Sequence, residues 1–109
     1  MVLYRVAAYL CVLLGITHVA ATPAFYGGLT VAALWFIGTG LATAFLGLLN
    51  LAAERTREPR VLTMCVIANL VSVVYGIGIV YALREVQAAI ALLVFLAVAA
   101  GSIRARWVK

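Results

Sequence analysis

Few side chains in this 109-residue chain carry groups suited to chemistry: one histidine, two cysteines and three acids. His18 stands out, because it lies inside an apolar run and, the terminal Arg5 being always charged, is the one side chain there able to titrate near neutral pH. An ionisable group within such a run is a candidate for proton transfer or ligand binding, and the competing reading is a neutral imidazole hydrogen-bonded to Tyr81, Gln87 or Glu85. Cys11 and Cys65 also sit in apolar runs and read as buried, inert thiols. They differ in depth by roughly 6 Å along their helices, which uses most of the reach of a disulfide. No C-x-x-C and no Cys/His cluster is present, so neither a thiol redox centre nor a metal site is expected. No cofactor is predicted. A quinone or other lipophilic ligand would suit Trp35, Tyr75 and His18 if the three share a pocket.

The elements that must position these groups follow from composition. With 68% hydrophobic residues and a mean hydropathy of +1.23, the chain lacks the polar surface a soluble domain of its size requires. Four apolar runs, about 2–21, 29–53, 61–83 and 86–103, are each long enough to cross roughly 30 Å of hydrocarbon as helices. The first resembles a signal peptide in having Arg5, an apolar stretch and Ala20-Ala21, but is read as a retained span. Pro23 with Gly27-Gly28 turns the chain back, and Phe25 and Tyr26 anchor that turn at the interface. The segment Glu54-Arg55-Thr56-Arg57-Glu58-Pro59-Arg60 is the central turn, and Arg84-Glu85 forms a tight third one. The expected fold is therefore all-α: one up-down-up-down transmembrane four-helix bundle occupying residues 1–109.

Charge gives the orientation. Of eight Lys/Arg residues, Arg5, Arg55, Arg57, Arg60, Arg104, Arg106 and Lys109 fall on one side and Arg84 alone on the other. The bias of seven to one places both termini in the cytoplasm. It also directs Arg55, Arg57, Arg60, Arg104, Arg106 and Lys109 toward anionic headgroups. Basic residues gathered at helix ends do not form the exposed face that nucleic acid requires. Small drug exporters match the chain in size only, since their proton exchange needs a membrane-embedded carboxylate and Glu54, Glu58 and Glu85 are read as lying in turns.

Polar and small residues mark the packed faces, because helices in lipid associate through close packing and interhelical hydrogen bonds. The first run carries Tyr4, Cys11, Gly15, His18 and Thr22. The second carries Thr39, Thr43, Gly47 and Asn50, backed by Gly40 and Ala44, and the third Cys65, Asn69, Ser72 and Gly76. Each set has helical spacing, so the three imply one interior. Its candidate polar or ligand-binding residues are His18, Trp35, Thr39, Thr43, Asn50, Asn69, Ser72, Tyr75 and Tyr81. Helix packing accounts for this set, and a narrow polar path between the first three helices is the sharper alternative.

The stretches Ala33-Leu34-Trp35-Phe36-Ile37-Gly38-Thr39-Gly40 and Phe45-Leu46-Gly47-Leu48-Leu49-Asn50, preceded by Gly15-Ile16-Thr17-His18, resemble small bacterial four-span inner-membrane proteins of unknown function. The resemblance implies a bacterial inner membrane and carries over no catalytic residue. The expected role is a non-enzymatic structural or accessory subunit, working through helix contacts with itself or a larger membrane complex. The alternatives are a carrier or channel for a small neutral or lipophilic solute, and a small membrane redox or lipid-modifying enzyme using His18. The lipid bilayer is the expected partner.

Overall fold

The computed structural model describes residues 2–108. All regular structure among the described residues is helical: α1 (Val2–Ala20), the single turn α2 (Thr22–Phe25), α3 (Val31–Thr56), α4 (Pro59–Leu83) and α5 (Val86–Trp107). The four long helices are each apolar and long enough to cross a membrane, and they pack as an up-down-up-down bundle about 49 Å in its longest dimension. Around the bundle each long helix neighbours the next in sequence, and α5 closes against α1. Exposed Leu, Ile, Val, Phe and Trp cover the outside, an arrangement that only an apolar solvent tolerates.

Local chemistry sets the helix ends, and in several places moves them from where the hydropathy runs stop. The Thr30 hydroxyl accepts from the Ala33 N–H at 3.1 Å, starting α3 after Leu29. At the central turn, α3 continues through Glu54 and Arg55 until Arg57 adopts a left-handed conformation at φ 56°, its N–H donating to the Ala53 carbonyl at 3.0 Å. The Glu58 carboxylate then accepts from the Val61 N–H at 3.0 Å, and Pro59 fills the first turn of α4, where its missing N–H costs nothing. Of the central segment, only Arg57 and Glu58 remain outside helix. Arg84, at φ 53°, ends α4 in the same way as Arg57 ends α3. The α5 helix runs beyond Ile103 to Trp107, because the basic residues after Ile103 satisfy helical geometry as well as apolar ones do.

The closest approach is between α1 and α3. A Cβ added to Gly15 would lie 2.5 Å from the Gly40 carbonyl oxygen, so the two backbones touch where glycine is present. Cys11 donates its thiol to the Thr43 carbonyl at 3.2 Å across the same seam. Both cysteines are buried and free. The apolar core, built on Tyr4, Cys11, Ala53, Leu62, Cys65, Phe95 and Val98, extends from the central-turn end to the middle of the bundle, where Cys11 and Phe95 lie.

Candidate functional site

The three sequence stripes turn inward together, and a fourth on α5 joins them. Counting by sevens recovers the inner line of each helix: Tyr4, Cys11 and His18 on α1; Phe36, Thr43 and Asn50 on α3; Leu62, Asn69 and Gly76 on α4; Ala88, Phe95 and Ser102 on α5. All are buried except His18 and Phe36, which are half-buried. What these side chains do differs sharply between the two ends.

At the central-turn end they form one hydrogen-bonded latch. Tyr4 donates its hydroxyl to Asn50 Oδ1 at 2.7 Å. The Asn50 and Asn69 amides pair reciprocally, at 2.9 Å and 2.8 Å. Asn69 Nδ2 also lies 2.9 Å from Ser102 Oγ and 3.1 Å from the Val98 carbonyl, while Asn50 Nδ2 donates to the Leu46 carbonyl at 2.8 Å. Ser102 in turn donates to the Ala99 carbonyl at 3.0 Å. One residue from each long helix thus enters a network in which both asparagines are 0% exposed, so no water competes for their bonds. The ring of Tyr4 lies against Gly101, where an added Cβ would come within 2.5 Å of Cδ1. Ser102, absent from the sequence-based set, completes the latch; its position seven residues beyond Phe95 was the available signal.

Below the latch lies an ion pair. Arg5 donates through Nε at 3.1 Å and through an Nη at 2.7 Å to Glu54 Oε1, and the Glu54 side chain is only 5% exposed. Glu54 is therefore in the last turns of α3 and buried, not in a turn as its charge implied: a carboxylate can be held at this depth because a long arginine reaches it from α1. Arg57 fastens the same corner, donating from Nε to the Glu54 carbonyl at 2.9 Å.

At the opposite end, beside the Pro23 and Arg84 turns, the four helices separate around a crevice of about 720 Å³. Leu14, Thr17 and His18 of α1, Phe36, Thr39 and Thr43 of α3, Tyr75, Gly76 and Ile79 of α4, and Gln87, Ala88, Ala91 and Phe95 of α5 form its walls. Phe25, Tyr26, Leu83 and Glu85 stand at its mouth. It ends near Thr43 and Phe95, seven residues and about 10 Å short of the asparagine pair.

The polar groups of this wall are largely spent on their own helices. Thr39 donates to the Trp35 carbonyl at 3.0 Å and Thr43 to the Thr39 carbonyl at 2.8 Å, the usual way for a hydroxyl to satisfy itself in an apolar helix. His18 is the exception. Its imidazole stacks on Phe36 with centroids 3.7 Å apart and planes 20° from parallel. Its Nε2 is the one buried side-chain nitrogen or oxygen among the described residues without a hydrogen-bond partner. The expected bond to Tyr81, Gln87 or Glu85 is not made: Gln87 bonds Glu85 instead, and Tyr81 is 75% exposed with Arg84 over its ring. Phe36 takes the place those residues were assigned, drawing Phe25 and Tyr26 to its other contacts at 5.7 Å and 5.4 Å between ring centroids.

The structure thus divides the sequence-predicted residues. His18, Thr39, Thr43 and Tyr75 line the crevice. Asn50 and Asn69 are sealed in the latch, and Ser72 donates to the Ala68 carbonyl at 2.8 Å, on its own helix. Trp35 is 74% exposed and lies outside the crevice, as does Tyr81, so the shared Trp35, Tyr75 and His18 pocket is not formed. Trp35 and Phe36 are neighbours about 100° apart on the helix, and only Phe36 falls on the line of sevens from Asn50. Among the basic residues, Arg55, Arg60 and Arg104 are exposed, whereas Arg106 is half-buried and donates to Thr63 Oγ1 at 2.8 Å. Lys109 lies outside the described residues. Among those described, no cluster of three or more His, Cys, Asp or Glu is placed to hold a metal ion.

No family model, curated protein or solved structure matches the chain.

Proposed function

We propose that this chain is a non-enzymatic four-span protein of a bacterial inner membrane that admits a small, uncharged lipophilic molecule between its helices. The supporting observation is the crevice: a volume of about 720 Å³ is the size of ordinary ligand sites, and its lining is mostly apolar with a few polar groups. His18 lines that wall, and its buried Nε2 is a hydrogen-bonding group which the protein itself leaves unused. In the orientation favoured by the seven-to-one charge bias, both termini are cytoplasmic and the crevice opens toward the far face of the membrane. Carrying such a solute, or presenting it to a partner, are both consistent with a site closed at its cytoplasmic end.

The test is binding of 1-dodecanol, followed by native mass spectrometry from lipid nanodiscs, in the wild type and in Ala91→Trp. Ala91 is a half-buried wall residue of α5, and an indole there fills the crevice. Retention of the alkanol by the wild type and its loss in Ala91→Trp is the expected result. Equal retention by both, or retention by neither, contradicts the reading.

A second reading, an accessory subunit bound to copies of itself or to a larger complex, draws on Gly38 and Gly78. An added Cβ at either meets nothing within 4 Å, so α3 and α4 each present a flat place on the outer surface where a partner helix can approach. The same mass spectra test it: an oligomer that Gly78→Leu disperses supports it, and a monomer throughout contradicts it.

A further inference from the structure

A second cavity, of about 810 Å³, lies on the outside of the bundle at the central-turn end, between α1 and the final turns of α3. We infer that this groove seats one anionic phospholipid, with its phosphate among Arg5, Arg55 and Arg57 and an acyl chain descending past Leu51 and Tyr9.

The charge is set by those three arginines and Glu54, all of which line the groove, for a net of +2 (three positive, one negative). Glu54 does more than subtract from that total. By holding Arg5 Nε and one Nη on Oε1, it fixes the guanidinium at the mouth of the groove while the Arg5 side chain stays 57% exposed. A guanidinium has five N–H donors, so those not taken by Glu54 are free for a phosphate oxygen. The bond from Arg57 Nε to the Glu54 carbonyl likewise leaves its remaining donors unspent. Arg55 is exposed on the same last turn of α3.

The groove is amphiphilic along the membrane normal, and this selects a lipid over a free anion. Leu51 lies one helical turn deeper than Arg55, and Tyr9 one turn deeper than Arg5, each about 6 Å further into the membrane. Tyr9 is 54% exposed and Leu51 half-buried, so the walls below the arginines are apolar and open to a chain. Inorganic phosphate would use the arginines and leave those walls without an occupant. The site is on the opposite end from the crevice and does not depend on it.

The experiment is native mass spectrometry of the full chain released from nanodiscs of mixed phosphatidylglycerol and phosphatidylcholine. The wild type is expected to retain one phosphatidylglycerol in preference to phosphatidylcholine. Loss of one arginine from the groove in Arg55→Gln, an exposed position where folding is not at issue, should lower that retention roughly fivefold, the effect of about one charge near a membrane surface. Arg104→Gln removes an equally exposed charge outside the groove and is expected to leave retention unchanged. Equal losses in the two variants would show diffuse attraction and overturn the site. Displacement of the lipid by millimolar inorganic phosphate would show a free-anion site and overturn the assignment to phospholipid.

Discussion

The two ends of this bundle are built from the same classes of side chain and behave oppositely. Beside the central turn, Tyr4, Asn50, Asn69 and Ser102 tie four helices into one network with no exposed asparagine surface. Beside the Pro23 and Arg84 turns, Thr39 and Thr43 point hydroxyls back along their own helix, and the space between the helices stays open. The difference lies in reach and valence. A carboxamide has two donors and a carbonyl oxygen with two lone pairs, so it can satisfy its own backbone and still bridge to neighbours. A threonine hydroxyl has one donor, and once that is given to a carbonyl four residues back it can only accept; Arg106 supplies such a donor to Thr63, but among the described residues none reaches Thr39 or Thr43.

Asn69→Ala is the substitution that should blur the comparison most. It removes the cross-bundle partner of Asn50 and Ser102 together and leaves one Asn50 N–H without an acceptor at full burial, although the Tyr4 and Leu46 bonds of Asn50 remain, at a cost of about 2 kcal/mol of unfolding free energy in mixed micelles. Tyr4→Phe takes away a single hydroxyl while keeping the ring against Gly101, and a loss of about 0.6 kcal/mol is expected in the same titration. Thr43→Val should be the mildest, within about 0.5 kcal/mol of wild type, since its hydroxyl bonds only within α3. If Thr43→Val destabilised as much as Asn69→Ala, the two ends would not differ in the way described.

Much of this was legible in the chain, because in lipid the constraint is severe: every backbone polar group must be satisfied internally, so long apolar runs read directly as helices. The inward stripes of α1, α3 and α4 were legible for the same reason, as polar atoms in hydrocarbon mark contact faces. Ser102 was obscured by its place beside the basic tail, where a polar residue looks like the end of a span. Glu54 was obscured by charge: nothing in the central segment alone indicates that Arg5, 49 residues away, would pair with it and let α3 continue. The exchange of Trp35 for Phe36 turned on a single residue of phase, finer than a spacing of three or four can resolve.

The contrast between ends is tested most directly by asking which buried residues a small apolar reagent can reach. A photoactivated aryl diazirine, applied to the wild-type protein in nanodiscs and mapped by peptide mass spectrometry, labels exposed surface indiscriminately, so the informative positions are those the protein buries. Thr43, Ala88 and Phe95 are buried but border the crevice, whereas Cys65 and Val98 are buried beside the latch. Adducts on the first group and none on the second are the predicted result. Labelling of both groups alike, or of Cys65 and Val98 in preference, would contradict a bundle closed at one end and open at the other.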